Sequence, residues 1–138
     1  MASPANELQA AVFGLLTADA GVAALVGTRI YDRVPMASDV PPYITFGPAD
    51  EYEDDADCIR SSNHSLQIDV WSEKQGGFKE CKEITHAVNL AIHQVSVNLP
   101  SHALTELRVT RRLHFRDPDG ITSHGVVTVG AIIEENNG

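Results

Sequence analysis

The chain has 138 residues, two cysteines and a formal net charge of −9, with a pI near 4.9. That length fits one domain, which can bury roughly two thirds of its unfolded surface without disulfide or metal staples. No apolar run approaches the ~20 residues of a membrane span, and the acidic balance argues against a nucleic-acid binder gripping phosphates. Cys58 and Cys81 lack C-x-x-C spacing, and residues 1–7 carry neither a basic nor an apolar leader segment. A reducing cytosolic compartment is therefore expected.

Ser3 is a good N-cap and Pro4 a good first helical residue, and Leu8, Ala11, Val12, Leu15 and Leu16 then form one helical stripe. This predicts a helix from about Pro4 to Thr17. Asp19 caps a short second helix carrying Val22, Leu25 and Val26, which Gly27 ends. Ile30-Tyr31 reads as a short strand, Val34 to Pro42 as a proline-rich loop, and Tyr43 to Phe46 as a strand bounded by prolines and Gly47. Between Pro48 and Asn63, Asp50, Glu51, Glu53, Asp54, Asp55 and Asp57 put six carboxylates in eight positions with little to bury. That predicts a solvated loop over 48–63.

His64 to Ser72 alternates, with Leu66, Ile68 and Val70 on one side and Gln67, Asp69 and Trp71 on the other. Phe78, Cys81, Ile84, Thr85, Val88, Ala91 and Ile92 follow at helical spacing, giving a helix from about Gly77 to His93. Gln94 to His102 is a connection with an extended piece at Val95 to Leu99. Leu104 to Ile133 then reads as a long β-hairpin turning at Asp117-Pro118-Asp119-Gly120, where Pro118 fixes φ and Gly120 tolerates its positive values. Residues 1–3 and 134–138 are expected to fray. The element order predicts a single α+β domain over 1–138: a mixed, mostly antiparallel sheet with helices packed on one face.

Little of this looks catalytic. The chain has no G-x-S-x-G, Walker loop, G-x-G-x-x-G or H-E-x-x-H, and no EF-hand spacing among its acids. His64, His86, His93, His102, His114 and His124 are scattered, so neither a metal nor a cofactor is expected. Cys81 sits on an apolar helical stripe, as a small core residue does. The first arm of the hairpin is distinctive: it holds Arg108, Arg111, Arg112 and Arg116, four of the ten basic residues. Strict alternation puts Arg108, Arg112 and Arg116 on one face with Thr110 and His114, and Arg111 on the other with Val109, Leu113 and Phe115. Such a face suits an acidic partner or a second copy of the chain.

Four stretches, in order, carry a family resemblance: Leu25 to Pro35, Pro42-Tyr43-Ile44, Leu66 to Ser72, and Arg116 to Gly120 with His124-Gly125 behind it. Together they resemble the tail terminator or tail completion proteins of tailed phages, prophages and gene transfer agents, over about Leu8 to Ile133. The resemblance implies a ring-forming α/β fold and a structural role in the virion, assembled in a bacterial host without enzymatic activity. A homohexameric ring would cap the tail tube protein and receive the head-completion (stopper) protein, with DNA passing through the lumen unbound. On that reading Arg108, Arg111, Arg112 and Arg116 are interface candidates. The carboxylates from Asp50 to Asp57 would line the lumen, repelling phosphate, or form a docking loop. The alternatives are a head-side adaptor or stopper, a small hydrolase-like enzyme, and an adaptor that binds a basic peptide.

Overall fold

The structure, a computed structural model, describes residues 2–33, 40–56, 58–73 and 78–136. Three helices, α1 (Pro4–Ala18), α2 (Ala20–Val26) and α3 (Lys79–Ile92), lie against one sheet. Its strands are β1 (Ile30–Tyr31), β2 (Tyr43–Glu53), β3 (Ser61–Ser72), β4 (Ala103–Arg116) and β5 (Ser123–Glu134), in the order β1-β2-β3-β5-β4. Among the described residues only the β1–β2 pair is parallel.

The helix ends follow their caps. The Ser3 hydroxyl accepts from the Asn6 N–H at 3.2 Å, and Asp19 accepts from the Val22 N–H at 2.9 Å. Gly27 closes α2 at φ +62°, which a side chain would resist. Among the described residues no single helix is long and apolar enough to cross a membrane, and α1 and α2 meet at 79°.

The core forms where helical and strand periods meet. Leu8, Val12 and Leu16 of α1, Val22 and Val26 of α2, and Cys81, Ile84, Val88 and Ile92 of α3 are buried. They pack in one cluster with Ile44, Leu66, Ile68, Val70, Val127, Val129 and Ile133 of the sheet. Each such side chain contributes about 1.5–3 kcal/mol on leaving water. Burial pushes the Cys81 thiol up to about 11, so it is an inert packing group.

The structure departs from the sequence reading in five places. First, β2 does not stop at Gly47: it runs to Glu53 across a bulge between Phe46 and Ala49. Pro48 to Asn63 is therefore no loop but the distal half of a β2–β3 hairpin, joined by residues 54–60. The carboxylates tolerate this because alternation sends successive ones to opposite faces, and β3 offers polar neighbours. Asp54 accepts from the Asn63 amide at 3.0 Å, Asp55 from the Ser61 N–H at 3.0 Å, and Arg60 lies 3.8 Å from Glu53. Asp57 lies outside the described residues, as do 34–39 of the expected proline-rich loop and the expected helix start at Gly77.

Second, Ala2 and Asn136, within the segments expected to fray, are both hydrogen-bonded. The His102 ring bonds the Ala2 carbonyl through Nε2 at 2.9 Å and accepts from the Asn136 N–H through Nδ1 at 3.1 Å. Third, Glu134 is the last residue of β5, paired with both Ser61 and Ala103. Fourth, the extended piece expected at 95–99 pairs with no strand of the sheet. After Gln94 (φ +59°), whose N–H donates to the Leu107 carbonyl at 2.9 Å, the connection runs irregularly. Fifth, β4 does not alternate strictly, with consequences for its arginines.

Candidate functional site

The sheet has one face under the helices and one open face. Cross-strand partners share a face, so the register assigns every strand residue to a side. Tyr43, Trp71, His124 and Phe115 are successive partners across β2, β3, β5 and β4. On the open face they form one aromatic row. Trp71 and His124 stack with centroids 4.0 Å apart, Phe115 lies 4.7 Å from His124, and Tyr43 lies 6.5 Å from Trp71. Tyr31 of β1 extends the row, edge-on to Tyr43 at 6.0 Å. Such ring pairs are worth ~0.5–1.5 kcal/mol each beyond the area they bury.

Polar groups fix the row. The buried Asp69 carboxylate takes His124 Nε2 at 2.7 Å and the Gln67 amide at 2.9 Å. The other ring nitrogen of His124 is 3.6 Å from Asp117, the first turn residue of the β4–β5 hairpin. The Trp71 indole donates to the Thr45 hydroxyl at 3.0 Å, and the Arg29 guanidinium donates to the Pro42 carbonyl at 2.8 Å. In the turn, the Gly120 N–H donates to the Asp117 carbonyl at 2.9 Å and Gly120 sits at φ +72°. Asp119 accepts from the Ile121 and Thr122 N–H groups and the Thr122 hydroxyl, bonds that hold its carboxyl below the usual range. On the helix side Gly125 lets α3 approach: a Cβ there would lie 2.7 Å from Thr85 Cγ2 and 2.9 Å from Cys81 Sγ. The described parts of the four separated stretches that carry the resemblance thus converge on one corner of the sheet. Alternation alone did not reveal this corner, because the two ends of the row come from strands whose register only the fold supplies.

The interface candidates divide. A bulge between Val109 and Arg111 leaves Thr110 without a partner residue, so β4 changes phase there. Arg108 pairs Gly130 and Arg111 pairs Thr128, which puts both on the open face, where Leu113 and Phe115 also lie. Arg112 pairs Val127 and Arg116 pairs Ser123, which puts them on the helix side with His114. The expected single face of Arg108, Arg112 and Arg116 is therefore corrected. Arg116 lies over the Phe78 ring at 4.5 Å, and Arg108 is 3.9 Å from Glu106. On the opposite edge Asp50 points to the open face and Glu51 and Glu53 to the other, all exposed, as are Asp54 and Asp55.

His64 and His114 serve packing, whereas His86 and His93 lie exposed on α3 and at its C-cap. Among the described residues no group of His, Cys, Asp and Glu could hold a metal ion. His64, buried under α1, bonds the Ser62 hydroxyl at 2.8 Å; burial lowers its pKa from 6.5 against the pull of Glu51, Glu135 and Asp50. His114 bonds the Thr85 hydroxyl at 2.8 Å and is lowered by burial, then by Lys82 and Arg112. In the unfolded chain both rings take a proton near pH ~6.5, while folded they stay neutral to lower pH. The unfolded state then binds more protons, so stability present above that value is lost as pH falls through the window beneath it. The midpoint of thermal unfolding is expected to drop between pH 7 and pH ~5.5. His114→Gln, which keeps a polar partner for Thr85, should show a shallower drop in the same scan.

Comparison with known proteins agrees with this geometry. The family model described as tail completion protein gp17 matches residues 10–134. A chain from the virion of a native gene transfer agent particle superposes with a TM-score of 0.88 at 30% identity, covering 97% of this chain and 99% of that one. The gp17 protein of bacteriophage SPP1 superposes with a TM-score of 0.58 at 20% identity, over 96% of this chain and 93% of that one, a likeness of fold. No curated protein matches the sequence. With the family model running from the middle of α1 to the end of β5, the chain belongs to the gp17 tail completion proteins, structural components of phage and gene transfer agent virions rather than enzymes.

Proposed function

We propose that this protein is a tail terminator: a homohexameric ring that caps the finished tail tube and offers its other face to the head-completion (stopper) protein. DNA passes through its lumen without specific binding. The family match over residues 10–134 carries this reading. The pinned corner around Trp71 and His124 suits it, since a ring subunit needs a stiff sheet whose edges keep their relative positions. Arg108, Arg111, Arg112 and Arg116 are the proposed contact residues between copies or with a partner. Asp50, Glu51, Glu53, Asp54 and Asp55, with Asp57 beyond the described residues, form the second proposed surface, in the lumen or against a neighbour. A head-side adaptor or stopper is the alternative place in the same junction.

Imaging of intact particles with this chain labelled tests the proposal. A ring of six copies between tube and head is the expected result. A position at the distal end of the tail would overturn it, and copies in contact with the portal but not the tube would favour the head-side alternative.

A further inference from the structure

The two sides of the sheet carry opposite charge. β4 is its last strand and holds four arginines against one glutamate, in a chain whose net charge is −9. On the opposite side, β1 pairs β2 only at Ile44 and Thr45. From Phe46 to Glu53, then, the outer side of β2 meets no strand among the described residues. That stretch and the turn after it hold Asp50, Glu51, Glu53, Asp54 and Asp55, all exposed.

Neither charge is confined to one face. The phase change at Thr110 sends Arg108 and Arg111 to the open face and Arg112 and Arg116 to the helix side. The β2 arm likewise has Asp50 on the open face and Glu51 and Glu53 on the other. A partner lying flat on the sheet would meet only part of either set, whereas one approaching along the edge would meet all of it. Apolar groups accompany both edges: Leu113 and Phe115 are each 39% exposed beside the arginines, and Tyr52 is 64% exposed among the acids.

We infer that the β4 edge of one copy receives the acidic β2 arm of the next, head to tail. The inference rests on the ring proposed above and names the surfaces that close it. Such a contact joins two different patches, so every copy keeps one of each unsatisfied until the ring closes. An outer strand is a ready docking edge, and arginine meets carboxylates through paired, charge-assisted hydrogen bonds. The same charges oppose two-fold dimers, because like edges would then face each other. Asp50 to Asp55 thereby lie at a subunit boundary instead of in the lumen.

Zero-length cross-linking of assembled particles tests this. The Arg111→Lys/Arg112→Lys chain keeps both charges and gains amines that a carbodiimide joins to carboxylates in contact. Within one copy β3 and β5 separate β2 from β4 by roughly 14 Å at about 4.8 Å per strand, out of reach of such a link. The expected result is a multimer ladder on a denaturing gel, with peptides joining residues 50–55 to one of the two introduced lysines. Particles that hold the chain at normal level but yield no such peptide overturn the inference. A charge swap reads the same contact without cross-linker. Arg111→Glu/Arg112→Glu is expected to lower the yield of filled, tailed particles at least ~10-fold, and adding Asp50→Lys/Glu53→Lys to restore it. An unchanged yield in the first variant, or no restoration by a folded second one, also counts against it. Failure of the terminator reading looks different: the chain is imaged away from the head end of the tail while the ladder still forms.

Discussion

Gly125→Val is expected to leave little folded protein, the largest effect of any single substitution in this chain. Gly125 lies on β5 where α3 crosses closest. A Cβ built there meets Thr85 Cγ2 at 2.7 Å, Cys81 Sγ at 2.9 Å and Val70 Cβ at 3.4 Å. The first two contacts are on the helix and the third on β3, so relief requires α3 to move off the sheet. Interiors packed to crystal density transmit that displacement instead of absorbing it. Overpacking by single groups costs about 1–3 kcal/mol, and valine adds two further methyls, against a total stability of about 5–15 kcal/mol. Gly125→Ala should fold and lose about 2 kcal/mol in urea denaturation. Thr85→Ser removes the clashing methyl while keeping the hydroxyl that bonds the Lys82 carbonyl and His114. Placed in the Gly125→Ala background, it should recover part of the loss. An unaltered midpoint for Gly125→Ala would show that α3 is not seated as described.

Asp69→Ala should cost about 3 kcal/mol, because two donors lose their acceptor in a site that water enters poorly. Asp69 is 6% exposed although it faces the open side, and it accepts from His124 at 2.7 Å and Gln67 at 2.9 Å. Asp69→Asn keeps the shape and one acceptor, and about 1 kcal/mol is expected instead. The chain's single tryptophan is Trp71, stacked on His124, so its emission reports directly on this corner. Asp69→Ala should therefore shift the Trp71 emission in the folded state as well as lower the denaturation midpoint. A shifted midpoint with unaltered emission would mean that Asp69 acts elsewhere than through the imidazole.

What could be read from the sequence was whatever depends on local order. Ser3, Asp19 and Gly27 bound their helices because capping is settled within a few residues. The stripes of α1 and α3 and the alternation of β3 follow from periodicity, as does the turn at Asp117 to Gly120. The distal half of β2 could not be read in this way, since it has no apolar alternation of its own. It is a strand because β3 offers Ser62, Asn63, His64 and Ser65 as partners. The division of the arginines was hidden for a related reason: a bulge is a property of two strands in register, and β4 alone carries no mark of it. Asp69 reads as a solvated strand residue until its neighbours on β5 and β2 are known.

Thr110 makes the central part of β4 a strand written in two reading frames. From Glu106 to Val109 odd positions face the helices; from Arg111 on, even positions do. Removing this one residue would set Arg111 directly after Val109, as their partners Thr128 and Val129 are set, and would keep everything beyond it on its present face. Pairing Thr110 into the ladder instead would slip the register by one: Leu113 and Phe115 would turn toward α3, and Arg112 and Arg116 toward the open face, with composition unchanged. A catalogue of point substitutions would rank Thr110 as a mild, exposed position. A catalogue of single-residue deletions would rank it among the more tolerant positions of the strand, because its loss removes the bulge and none of the paired residues.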